Sequence, residues 1–137
     1  VTPKQRKRIE KYTRWMANEI GLRDWTFIIS RTPADEGNHA HIFVNSQRYL
    51  ATIYLAADFF EDDLETQRMC ILHELLHVHF NPTQQAINHL EDLLGKPAYK
   101  VAYEHHQRGL EMAIDGLATN IARHFPLPKR EKAKRTD

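Results

Sequence analysis

The chain has a single cysteine, Cys70, so no disulfide framework can staple it and a reducing compartment is the simpler setting. No apolar run reaches the length of a bilayer-spanning helix, and the N-terminus lacks the apolar core of a signal peptide. A cytoplasmic, membrane-free protein is therefore expected. An excess of charge of one sign is missing too: 19 Lys and Arg against 18 Asp and Glu leave a formal net charge of +1. That gives no overall pull toward nucleic acid or a membrane surface. What is present is an ordinary globular composition, 42% hydrophobic and 27% charged, over 137 residues. This is enough chain for one domain with its own core.

One stretch stands out chemically. His73-Glu74-Leu75-Leu76-His77 is an H-E-x-x-H pattern inside an apolar, helix-favouring run. Residues four apart share a helix face, so His73 and His77 can direct both imidazoles at a common centre. Neutral imidazoles are good zinc ligands. Glu74 lies beside that centre without being part of the ligand pair, where a general base could take a proton from a water on the metal. The run from Leu64 to Phe80 is apolar on most sides, which predicts a central, buried helix. Two imidazoles set in such a helix need partners, and a metal would satisfy both at once. Cys70, one turn earlier, reads as an inert buried thiol and His79 as structural or exposed.

Around that helix the pattern predicts an α+β domain. Pro3 to Ile20 is an amphipathic helix with Thr2 as its cap, an Ile9–Tyr12–Trp15/Met16–Ile20 stripe and a basic opposite face, ended by Gly21. Three strand-like runs follow, around Trp25–Ser30, Ala40–Asn45 and Leu50–Ala56. They suit a small, mostly antiparallel sheet. His39 and His41 share one strand face and are expected to meet solvent. Asn81-Pro82 should stop the motif helix, leaving a short helix from Thr83 to Leu94 and a long one from about Tyr99 to His124. On the last helix Leu110, Ile114, Leu117, Ile121 and Phe125 form a core-facing stripe. Gly109 and Gly116 would let the motif helix approach closely. Residues 1–125 are read as one domain and residues 126–137, rich in Lys and Arg, as a basic and disordered tail.

A catalytic zinc usually keeps three protein ligands and one water. The long last helix is the natural source of the third, with Glu104, His105, His106 and Glu111 as candidates. Glu111 is followed one turn later by Asp115, so the pair could supply a ligand and an acceptor for the free N–H of a ligating histidine. A donor for a developing oxyanion is also expected, with Tyr103, His105 and His106 in range.

His73-Glu74-x-x-His77 followed by Glu111-x-x-x-Asp115 resembles the gluzincin pattern of zinc metallopeptidases. The order of elements is similar to that of minimal, single-domain, minigluzincin-like members and of small H-E-x-x-H proteins of bacteria and their phages. The resemblance covers roughly Trp25 to Ala122. It implies a zincin-like fold and a hydrolase using one Zn²⁺ ion, with His73, His77 and Glu111 as metal ligands. It further implies Glu74 as the catalytic base, Asp115 supporting the first histidine, and a peptide or protein substrate lying along a cleft strand, here Leu50–Ala56. Phe80 and Thr83 stand where a metzincin needs Gly and His, which excludes that clan. SprT-like proteins use a third histidine, which His105 or His106 could supply. Two rival readings accompany the protease: an inactive zincin-like binding module, and a nucleic-acid-associated protein using its basic first helix and tail.

Overall fold

The computed structural model describes residues 1–129; Arg130 to Asp137, most of the basic tail, lie outside the described residues. Helix α1 (Pro3–Glu19) starts where the sequence places it. The Thr2 hydroxyl accepts from the Gln5 N–H at 3.2 Å while the Gln5 side chain accepts from the Thr2 N–H at 2.8 Å, a reciprocal cap. Ile9, Thr13, Met16 and Ala17 form the buried face. Trp15 is turned outward, because Met16 takes the core position that the stripe left open between them.

Three strands follow: β1 (Thr26–Ile29), β2 (Ala40–Asn45) and β3 (Leu50–Leu55). Their order is β1-β3-β2, with β1 parallel and β2 antiparallel to β3. The expected mostly antiparallel sheet is thus mixed, and Leu50–Leu55 is its central strand rather than a cleft edge. The reason is visible in the alternation. Ala51, Ile53 and Leu55 are buried between Phe27 and Ile29 on one side and Val44 and Ile42 on the other. The chain skips the central position between β1 and β2, so both are edge strands, and β2 is the one that lines the cleft over α2.

Helix α2 (Leu64–Asn88) is capped by Asp63, whose carboxylate accepts from the Thr66 N–H at 2.8 Å. That bond holds the Asp63 carboxyl below its usual range. Ile71, Leu72 and Leu75 are fully buried and Leu76 and Val78 nearly so. Pro82 does not end the helix, contrary to expectation. An internal proline costs about 3 kcal/mol. Here the second half of α2 is held by α4 (Lys96–Ile121), to which it is joined by a hydrogen bond from the Gln107 amide to Gln84. A one-turn helix α3 (Glu91–Leu94) and Gly95, at a positive φ of 76°, reverse the chain between them.

Helix α4 buries Leu110, Ile114 and Ala118. The stripe therefore shifts from the expected Leu117, which is exposed, to Ala118. Gly109 and Gly116 do not serve close packing: a Cβ added at either would meet nothing within 4 Å. They lie on the side of α4 turned away from α2. Beyond the helix, Pro126–Lys129 do not run free. The Tyr12 hydroxyl donates to the Pro126 carbonyl at 2.7 Å and the Arg68 guanidinium to the Phe125 carbonyl at 2.8 Å, fastening this segment to α1 and α2. Among the described residues no helix is long and apolar enough to cross a membrane.

Candidate metal centre

Packing of α4 along α2 brings Glu111 over the motif histidines. Its two carboxylate oxygens lie 3.2 Å from His73 Nε2 and 3.1 Å from His77 Nε2, and the two Nε2 atoms are 3.2 Å apart. Three ligands of a tetrahedral zinc at 2.0–2.1 Å would be separated by about 3.3 Å. The donor triangle therefore has the dimensions of one face of such a site. Among the described residues, His73, His77 and Glu111 form the one group of three side chains able to hold a metal ion.

The arrangement also assigns protons. Asp115 Oδ1 is 2.9 Å from His73 Nδ1, so that nitrogen donates to the carboxylate and Nε2 turns its lone pair inward. His77 is held below the usual imidazole range, first by burial, with Glu111 opposing and His73 adding to the effect. A proton on His77 Nε2 would bond Glu111, and with that nitrogen deprotonated two lone pairs and a carboxylate converge on one point, as a cation's ligands do.

Glu74 is only 6% exposed, on the turn between the two histidines. Burial, and then the negative charge of Glu111, push its carboxyl up to about 8. Such a group can both take and release a proton near neutrality. Cys70 is not part of the cluster. Its thiol is pushed up to about 11 by burial, then by Asp62 and Glu74, which leaves it protonated and unreactive.

The cleft over this centre encloses about 440 Å³ and is walled by Asn38, Ala40, His41 and Ile42 on one side and Gln107 and Glu111 on the other. Tyr103, His105 and His106 do not line it. On a helix, Gln107 is displaced from Glu111 by about 40°, whereas His105 and His106 are displaced by about 120–140° and Tyr103 lies about 12 Å further along the axis. Tyr103 packs instead on Tyr99, with ring centroids 5.8 Å apart. His106 keeps a buried Nε2 without a partner, and Glu104 sits at the surface 3.9 Å from Lys100. The polar group that α4 does bring into the cleft, Gln107, was legible as the residue one turn before Glu111. His79 bonds to the Ile20 carbonyl at 2.7 Å, a structural tie as expected.

His39 is exposed, 3.5 Å from Asp62. His41 is not simply solvent-facing: its ring stacks on Tyr54, 4.5 Å between centroids, on the sheet face opposite the buried residues of β3. It reaches the cleft as part of the β2 edge. The polarity of that edge follows from the register. The Ala56 N–H donates to the His39 carbonyl at 2.9 Å, so His39, His41 and Phe43 turn their backbone groups toward β3. Ala40, Ile42 and Val44 turn theirs outward, Ala40 and Ile42 beside the cleft.

Set against protein-family models, curated proteins and solved structures, the chain matches none. What it does has to be argued from the centre itself.

Proposed function

We propose that the chain is a zincin-like, gluzincin-type zinc metallopeptidase. The observation that carries this reading is the donor triangle of His73, His77 and Glu111, with Asp115 bonded behind His73 and a buried Glu74 beside it. Zn²⁺ fits the set: two imidazoles and one carboxylate are a catalytic rather than a closed structural combination, leaving a position for water. Bound there, the ion supplies Lewis acidity toward a water and toward the carbonyl of a scissile amide.

The chain's own residues do the rest. Asp115 holds the His73 proton on Nδ1 and keeps the ring oriented. Glu74 takes the proton of the attacking water and returns it to the leaving amine nitrogen. The Ala40 and Ile42 backbone groups, turned outward beside the cleft, suit an extended peptide added as a fourth strand, with main-chain bonds giving affinity. Edge addition therefore belongs to β2 instead of to Leu50–Leu55.

Glu74→Gln tests the reading. The variant is expected to retain one equivalent of zinc and to lose cleavage of a denatured protein substrate. Failure of the wild-type chain to retain zinc on dialysis would refute it before any activity is measured.

A further inference from the structure

On the far side of α1 from the sheet lies a second built feature, a groove of about 350 Å³ between that helix and Pro126–Lys129. Its floor is Tyr12, Trp15 and Leu127, and its rim carries Lys11 and Lys129; Arg8 lines one wall with its guanidinium turned over the Phe60 ring, 5.5 Å from the centroid, and no lining residue is acidic. Trp15 and Leu127 are 39% and 41% exposed, large apolar groups left facing water. The walls are pinned. Tyr12 spends its hydroxyl on the Pro126 carbonyl, Arg68 holds the Phe125 carbonyl, and the Trp15 ring leans edge-on against Phe125 at 6.2 Å.

The stretch that follows Lys129 in sequence does not match the groove by composition. Arg130 to Asp137 contain four basic residues (Arg130, Lys132, Lys134, Arg135), two acids (Glu131, Asp137) and no apolar side chain larger than Ala133. By composition they complement neither basic residues nor an apolar floor. The complement of this groove brings bulky apolar groups together with negative charge. Nucleic acid brings the charge, but its base edges are hydrogen-bonding groups, whereas the floor of Tyr12, Trp15, Leu127 and the flanking prolines is apolar. The stretch from Arg8 to Trp15 rises about 10 Å, the length of about three extended residues.

We propose that this groove docks an acidic peptide segment of a partner protein, which inserts one or two bulky apolar side chains over Trp15 and Leu127 while its carboxylates meet Lys11 and Lys129. The site is independent of the candidate metal centre.

The test is to pan a random-peptide display library against the full chain, with the Lys11→Glu/Lys129→Glu double variant as the counter-target and circular dichroism to show that both fold. Sequences kept by the native chain alone should place Leu, Phe or Trp among Asp and Glu. A synthetic peptide of the enriched sequence should perturb Trp15 fluorescence. Its Kd should rise about ten-fold or more on rim reversal and on Trp15→Ala, and more modestly with added salt. The proposal is overturned if nothing is enriched over the double variant, or if the enriched sequences lack acids. It is equally overturned if rim reversal abolishes binding of a single-stranded oligonucleotide while no peptide binds.

Discussion

Asp115→Ala isolates the role of the residue behind the candidate metal centre. Asp115 is 68% exposed and its one ion pair or hydrogen bond among the described residues is the 2.9 Å bond to His73 Nδ1, so the substitution removes that bond and buries nothing new. Loss of such a supporting carboxylate typically weakens metal binding by about 10–100-fold. Solvent screening of so exposed a group places this case near the lower figure, about ten-fold, or about 1.4 kcal/mol. A competition titration with a zinc-chelating dye reads this directly, with Glu111→Ala alongside as loss of a ligand and expected to be much more damaging. Asp115→Asn should sit between wild type and Asp115→Ala, because an amide oxygen can still accept the Nδ1 proton. A loss for Asp115→Ala equal to that for Glu111→Ala would make Asp115 itself a ligand. An unchanged affinity would mean that His73 needs no orienting partner, and either result would refute the reasoning.

Three more predictions test other parts of the structure. Ile42→Pro removes an N–H turned outward beside the cleft, so peptide cleavage should fall with little change in melting temperature, whereas His41→Pro breaks a bond to β3 and should destabilise the fold. If the two variants are alike in both assays, the assigned edge polarity is wrong. Leu75→Ala opens a cavity at a fully buried position and should cost about 2–5 kcal/mol in denaturant unfolding, and a loss under about 1 kcal/mol would contradict its place in the core. With its thiol pushed up from 9.0 to about 11, Cys70 holds about 100-fold less thiolate near pH 8 in the native chain than when unfolded. Alkylation by iodoacetamide should slow accordingly and quicken only as pH climbs toward 11, and equal rates in native and unfolded protein would refute the burial argument.

Local features were the most legible. The Thr2 cap and Pro3 start of α1, the buried character of the motif helix and the one-face spacing of His73 and His77 all follow from interactions within a few residues. The errors came where distant segments compete. Pro82 carries a strong local stop signal, yet packing against α4 outweighs it. Gly109 and Gly116 suggested a tight helix crossing, but helical phase alone does not say which side meets a neighbour. Leu50–Leu55 and Ala40–Asn45 have similar strand patterns, and nothing in either says which lies at the edge.

The same division holds at the candidate metal centre. By itself the sequence determined that two imidazoles and a glutamate would share one side of a buried helix, because a 3.6-residue repeat forces it once the helix forms. It offered Glu104, His105, His106 and Glu111 as possible completions and favoured Glu111, which has Asp115 one turn on and flanks the apolar stripe. Only the tertiary structure decided among them. The seating of Leu110, Ile114 and Ala118 against the core sets the rotation of α4, and that rotation carries Glu111 and Asp115 onto His73 while turning His105 and His106 away; Tyr103 and Glu104 lie about 10–12 Å further along the axis. Burial of an apolar stripe, a long-range and non-directional force, thereby selects which polar residue faces the motif.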